Sequence, residues 1–284
     1  MFKTPLRYPG GKSIMTPFLE KLFLINNWDK VVYSEPYAGG AGAGVNLLLS
    51  NKVERIVIND ANIGIYSFWQ AVRNETDRFC EKVLNCPINL ETWAECHKLF
   101  QKSREPSFEL GFATFFLTRT NRSGILNAGP IGGNSPEKQE AAKYKIDCRF
   151  NRSVLVKKIH DIGKERERIS IFNMDAIDFL RQQNNQPGLF VYLDPPYYQQ
   201  GKSLYMSYYR PQDHQDLACF LEHEAVFDWV MSYDSVEAIR GFYQHFNLLE
   251  YEIQYSARTS RVGKELLASS PGMQLPDEIK LIKK

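Results

Sequence analysis

Short apolar runs, each stopped by a carboxylate or a glycine-rich turn, recur near both ends of this chain and are missing from its middle. Residues 31–37 (VVYSEPY) read as a strand, followed by the small-residue turn Ala38-Gly39-Gly40-Ala41-Gly42 and a helical stretch at 45–49. Arg55-Ile56-Val57-Ile58-Asn59-Asp60 reads as a second strand ending on an acid. Strand, glycine turn, helix, strand, acid is the unit of a nucleotide-binding α/β sheet. The rhythm returns later. A strand is predicted at 169–173, a helix near 176–183, a strand at 189–193, a helix at 213–227, the end of a strand at 230–234 and a β segment at 248–256. Residues 61–118 lack strand–turn alternation and carry Phe, Trp and Leu at helical spacing. The stretch 121–136 (NRSGILNAGPIGGNSP) is dense in turn formers and predicts a loop or hairpin. No internal repeat is present. The pattern therefore predicts one α/β domain, a sheet with helices on both faces, built from residues 1–60 and 151–284 and interrupted by a mostly helical insertion at 61–150.

Composition narrows the function classes. In 284 residues, 35 Lys and Arg against 33 Asp and Glu leave +2, so the chain as a whole projects no strong field. From Arg119 to Lys158, nine basic residues face three acidic ones, which suits a phosphate-rich partner or a solvated loop region. Five cysteines, an odd number with no C-x-x-C pair, fit a reduced cytoplasmic protein and predict no metal cluster. The adjacent Cys96-His97 reads as ordinary helix-surface chemistry. No apolar run approaches the ~18 residues of a membrane span, and the N-terminus lacks the apolar core of a signal peptide.

The chemistry concentrates at Asp194-Pro195-Pro196-Tyr197. The apolar run Leu189-Phe190-Val191-Tyr192-Leu193 cannot continue as a strand through two prolines, which lack the ladder N–H. A carboxylate, stiff backbone carbonyls and an aromatic ring are thus held at a strand's C-terminal end, where open α/β sheets bind ligands. That group can grip a flat, weakly nucleophilic amine. The glycine turn lets backbone approach a ligand closely. It matches the dinucleotide fingerprint imperfectly, so a dehydrogenase is disfavoured. Asp60, about 20 residues on, suits a carboxylate that takes ribose hydroxyls. Tyr8-Pro9-Gly10-Gly11-Lys12-Ser13 resembles a phosphate loop only at Gly-Lys-Ser, because Leu6 stands where another glycine is needed. Lys12 reads instead as a point charge for a carboxylate and Tyr8 as a flat surface for an adenine ring. Asp175 follows a strand and suits either contact with a ligand's adenine or the N-cap of the next helix.

In this order and spacing the motifs resemble the Dam-like family of DNA adenine methyltransferases, with a glycine motif first and the DPPY motif last. Tyr8-Pro9-Gly10-Gly11-Lys12 matches the family's N-terminal motif. Glu35 to Ala41 is similar to its Glu-Pro-Phe-x-Gly-x-Gly, with Tyr37 for Phe and Ala41 for the last Gly, and Asn59-Asp60 matches its second-strand acid. Asp213 to Ala218, Met231 to Asp234, and Lys264-Glu265-Leu266-Leu267 also look like family sequence.

The resemblance implies a Rossmann-like methyltransferase fold with S-adenosylmethionine as methyl donor and no metal. Tyr8, Gly10, Lys12, Tyr37, Gly39, Gly40, Asp60, Asp175 and Asp194 are then the expected donor-binding positions. Asp194, Pro195 and Tyr197 are the expected catalytic ones. Asp194 and the Pro195 carbonyl would accept the two N–H bonds of adenine's exocyclic amine, and Tyr197 would stack on a base flipped out of duplex DNA. Arg119, Asn121, Arg122 and Asn127 lie where the family carries its recognition hairpin. Arg and Asn can engage base edges, and phosphate contact is equally open to the two arginines. Asn127 stands where GATC-reading members carry an arginine, so that target is not carried over. A cognate restriction endonuclease is a possible partner. The same local chemistry could also serve an RNA adenine or a protein glutamine, and a catalytically silent DNA-binding protein could keep the fold.

Overall fold

A computed structural model of the protein describes residues 4–8, 10–198, 209–255 and 261–276. Pro9 of the N-terminal motif and Ser256 of the last predicted β segment lie outside these residues. Seven strands form one sheet: β1 (Val32–Glu35), β2 (Arg55–Asn59), β3 (Ile169–Phe172), β4 (Leu189–Leu193), β5 (Asp228–Asp234), β6 (Asn247–Tyr255) and β7 (Arg261–Ser269). Their order is β3-β2-β1-β4-β5-β7-β6, parallel except for β7, which runs antiparallel to both neighbours. The chain winds outward through β2 and β3, then returns to pair β4 with the other edge of β1. The order therefore reverses between β1 and β4, the place where such sheets open a ligand crevice. This is a Rossmann-like, doubly wound α/β sheet with helices on both faces.

The central strands are largely apolar and buried because both faces are covered. Every residue of β1 and β4 is buried, and alternate side chains serve opposite cores. Tyr33, Ile56, Ile58, Phe190 and Tyr192 point to one, and Val32, Val57, Val191, Leu193 and Trp229 to the other. Helix α1 (Thr16–Ile25) covers the first face with Phe18, Leu19, Leu22 and Phe23, joined by α2 (Gly42–Leu49).

The middle of the chain contributes α3 (Ile63–Asn74), α4 (Thr76–Asn85), α5 (Leu90–Lys102), α6 (Phe108–Thr120) and α7 (Pro136–Ala141), and α8 (Arg152–Lys164) returns to the sheet. Their rings interlock. Phe115 lies parallel to Phe68 at 6.0 Å and edge-on to Phe79 at 5.4 Å and Phe150 at 5.5 Å. The core of this sheet face runs without a break into these helices. The turn-rich stretch is a compact loop with a short 3-10 turn, Arg122–Gly124, closed by one antiparallel bridge between Asn121 and Pro130. The opposite face carries α9 (Ala176–Gln183), α10 (Pro211–His223) and α11 (Glu237–Phe242).

The predicted strand at 189–193 and helix at 176–183 coincide with β4 and α9. The predicted strand at 31–37 is shorter, because Pro36 and the glycine turn end the ladder after Glu35. Helix α2 starts earlier than 45–49, since Ala41 takes a left-handed φ of 43° and starts the helix at Gly42. The predicted helix at 213–227 is Pro211–His223, with proline in its first turn.

Phe115 is fully buried at the centre of the ring cluster. Phe115→Ala is expected to cost about 3–5 kcal/mol of stability, read as a lower urea midpoint with the slope unchanged.

Candidate active site

The C-terminal ends of β1, β2 and β4 meet the N-terminal segment around a cleft of about 950 Å³, its open mouth included. Tyr8, Gly10, Lys12, Tyr37, Gly39, Gly40, Asp60, Asp175 and Asp194 all line it, so every expected donor-binding residue faces one space.

The floor of the cleft is the glycine turn, and Gly39 is held from three sides. Its φ of +46° is a conformation side chains rarely adopt, and an added Cβ would stand 2.8 Å from the Tyr8 ring. Its N–H donates to Asp60 Oδ2 at 2.8 Å, and its carbonyl accepts from Trp69 Nε1 of α3 at 3.0 Å. Asp60 Oδ1 accepts the Asn62 N–H at 2.9 Å. Burial raises the Asp60 carboxyl to about 6, against the pull of those two backbone donors. Tyr37 shares a hydrogen bond with Tyr209 at 2.7 Å, which brings Tyr209 to the cleft wall. Asp175 is the N-cap of α9, accepting from Ile177 N at 2.9 Å, and it also lines the cleft.

At the other wall, β4 delivers Asp194. Its Oδ1 lies 3.4 Å from Lys12 Nζ, is buried, and makes no hydrogen bond. Burial lifts its carboxyl to about 7; Lys12 opposes this and Glu265 adds to it. Lys12 donates to the Tyr197 hydroxyl at 2.6 Å and to Glu265 at 3.1 and 3.3 Å. Burial alone would discharge Lys12, but Asp194 first, then Tyr197 and Glu265, hold it protonated. The lysine read as a point charge for a carboxylate thus meets two carboxylates of the protein itself. Pro195 is buried and Pro196 faces the cleft. Tyr197 is 8% exposed, and its hydroxyl is anchored to Lys12 and Glu265.

Glu35, Tyr209, Tyr251 and Glu265 were not singled out as site residues. Glu35, the last residue of β1, accepts from Gly44 N at 2.8 Å and Tyr33 OH at 3.0 Å, and burial raises its carboxyl to about 7. The available signal for Glu265 was a lone acid opening the apolar run Glu265-Leu266-Leu267-Ala268.

The four residues expected at DNA lie apart from the cleft, at the end of α6 and in the loop that follows. Asn121 is fully buried. Its amide donates to the Ile125 and Leu126 carbonyls, both at 2.9 Å, and accepts from Trp93 Nε1 at 2.6 Å. Arg119 donates to the Pro5 carbonyl at 2.6 Å, and burial, then Arg7, lowers it to about 10. Arg122 and Asn127 are exposed, and Asn127 accepts from Gln101 at 3.0 Å. Cys96 is buried in α5 rather than on its surface, and His97 stacks on Trp93 at 4.9 Å.

A family model described as D12 class N6 adenine-specific DNA methyltransferase matches residues 8–257. The chain belongs to this class. The D12 methyltransferase is also 24% identical over 275 residues to the Type II methyltransferase M.CviBI of Paramecium bursaria Chlorella virus NC1A, with 93% of this chain and 96% of the relative covered. Among solved structures, a putative tRNA (m1A22) methyltransferase, Sp1610 of Streptococcus pneumoniae, aligns at 8% identity and a TM-score of 0.38, over 91% of this chain and 72% of that one. Protein LPL1258 of Legionella pneumophila aligns at 11% identity and a TM-score of 0.34, over 90% of this chain and 83% of that one. The class makes adenine in DNA the substrate, so the RNA, protein and silent-binder alternatives fall away. Among the described residues no helix is long and apolar enough to cross a membrane, and no group of three or more acidic, His or Cys side chains could hold a metal.

Glu35, Asp60 and Asp194 hold protons more tightly folded than unfolded. The stability they contribute is complete below the ordinary carboxylate range and is lost as pH rises through about 6 to 7. Asp213, Glu224 and Glu250 are shifted the opposite way and act at lower pH. The ligand-free D12 methyltransferase is therefore expected to melt at a lower temperature near pH 8 than near pH 5, as calorimetry across that window would register.

Proposed function

We propose that the D12 methyltransferase takes its methyl group from S-adenosylmethionine and that Asp194 and the Pro195 carbonyl grip the exocyclic amine of a flipped-out adenine. The observation that carries this reading is the buried Asp194 Oδ1, which makes no hydrogen bond at the mouth of β4. An acceptor left so is costly unless a donor arrives, and an amine N–H is such a donor.

The cleft suits a nucleoside donor. The glycine turn offers backbone where a Cβ would collide with Tyr8. Tyr8 gives a flat face, Asp60 a carboxylate for ribose hydroxyls, and Asp175 an acceptor near the adenine. S-adenosylmethionine supplies a methyl group on a sulfonium, reactive enough for a weak nucleophile. The residues of the chain do the rest. Adenine's amine shares its lone pair with the ring. Two acceptors on its N–H bonds favour a pyramidal nitrogen with the pair released, and Asp194 meets the positive charge that develops there. The Tyr197 ring, anchored through its hydroxyl, would stack on the base. A base inside the duplex is out of reach and has to be flipped.

Residues 1–60 and 151–284 form the catalytic part in this reading, and 61–150 form the part that reads DNA. Arg122 and Asn127, exposed on the loop, would meet DNA in this reading. Asn121 serves the loop's own architecture, since both amide donors are spent on the chain, and Arg119 is tied by its Nε to the Pro5 carbonyl. The enzyme would act in the cytoplasm of a bacterial or phage-infected cell, and a cognate endonuclease is a natural partner.

Two outcomes check the assignment. Asp194→Ala is expected to lower label transfer from tritiated donor to mixed-sequence DNA by at least about 10²–10³-fold while DNA affinity is kept; persistent transfer would sink it. Gly39→Ala, which forces Tyr8 aside, is expected to weaken donor binding about tenfold or more by calorimetry. Methylation-aware sequencing of DNA from expressing cells would return the modified base with its sequence context.

A further inference from the structure

Glu265 is a charged residue buried completely on β7, at 0% exposure. Gripping an amine does not by itself require it. Its Oε1 accepts from the Tyr197 hydroxyl and from Lys12 at 3.3 Å; its Oε2 accepts from Lys12 at 3.1 Å and from the hydroxyl of Tyr251, its register partner on β6. Tyr251 also reaches Ser232 Oγ at 3.2 Å, and Ser232 bonds Tyr192 at 2.6 Å. Across β5 the register partner of Glu265 is Asp234, whose carboxylate takes the Tyr198 N–H at 3.0 Å.

Charge decides what this arrangement does. Lys12 is one cation facing two carboxylates, Asp194 at 3.4 Å and Glu265 at 3.1 Å. With Lys12 and Asp194 alone, a positive charge growing on the adenine amine would meet a neutral ion pair. With Glu265, the described groups Lys12, Asp194 and Glu265 sum to one net negative charge when both carboxylates are ionised, which favours a cation forming on the amine. The hydrogen bonds agree. Lys12 spends its donors on Glu265 and Tyr197, and Asp194 Oδ1 receives none of them.

We propose that Glu265 is the counter-charge and positioning residue of this methyltransferase: it holds Lys12 and Tyr197 and so reserves the Asp194 carboxylate for the adenine amine. This rests on Asp194 being the amine's acceptor. Glu265 acts through Lys12 and Tyr197 rather than by touching the base.

The E265Q variant removes the charge at nearly constant volume, and Tyr251 can turn its hydroxyl to Ser232 and accept from the new amide. E265D keeps the charge on a shorter reach. Two readouts are taken: kcat and KM for duplex DNA against pH, and the titration of the Asp194 carboxyl by carbon-13 NMR in the ligand-free protein, assigned by its loss in D194N. For E265Q, kcat is expected to fall about tenfold to hundredfold with KM for DNA little changed. The Asp194 midpoint, about 7 in the wild type, is expected to move to lower pH together with the acid limb of kcat, because a neighbouring negative charge is gone. E265D is expected to keep the wild-type midpoint and recover part of kcat.

Wild-type kcat in E265Q would overturn the proposal. So would a fall in kcat with the Asp194 midpoint unmoved, which is what a merely structural role gives. Should E265Q not fold, a lowered Asp194 midpoint in E265D would overturn it. Failure of the underlying reading looks different: the wild type would not label adenine, or D194A would. Where the wild type methylates and D194A does not, the E265Q result bears on Glu265 alone.

Discussion

A single ammonium group withdrawn from water organises the catalytic end of this molecule. Lys12 comes from the N-terminal segment, Asp194 and Tyr197 from the end of β4, and Glu265 from β7. An isolated buried lysine would lose its proton, and an isolated buried glutamate would gain one. Beside Asp194, Tyr197 and Glu265 the Lys12 ammonium keeps its proton, and that requires these segments to come together. The chain's first residues are thus fastened to the site by electrostatics, and β7, antiparallel in an otherwise parallel sheet, is fixed in register beside β5. Such clusters add little net stability over a well-packed apolar one. Their effect here is on geometry: they leave one carboxylate oxygen with no internal hydrogen bond.

The sheet supplies the stage for that cluster. Reversal of strand order between β1 and β4 separates the helices that follow those strands, and the cleft opens between them. On the β1 side the glycine turn keeps the floor low; on the β4 side two prolines stop the strand and hold Asp194 at its end. Glu35 lies between, its carboxyl turned to Gly44 at the start of α2. The glycine-turn cleft and the proline-stopped carboxylate are therefore two edges of one discontinuity in the sheet.

Much of this was legible in the sequence because it is written locally. Strand β4 is five apolar residues before Asp-Pro-Pro, and α9 has its cap in Asp175 and its apolar stripe behind it. The nine expected donor-binding residues line one cleft because glycines, prolines and strand-end acids fix backbone within a few residues of themselves. What escaped depends on distant partners. Glu265 is 253 residues from Lys12 and 68 from Tyr197, and only folding brings them together. Asn121 has the donors and acceptors to read a base, but sequence records what a side chain can bind, not what has already bound it. The carbonyls of Ile125 and Leu126 and the indole of Trp93 took that capacity first.

The bond from Trp69 to the Gly39 carbonyl gives the two parts of the chain a common fastening. The indole belongs to the first helix of the middle region, and the carbonyl belongs to the floor of the cleft. The same helix, α3, packs through Phe68 against Phe79 and Phe115 of the aromatic core. Thermodynamic reciprocity makes any such coupling run equally in both directions. Ligands bound on the two sides of such a bond change one another's affinity by one shared factor.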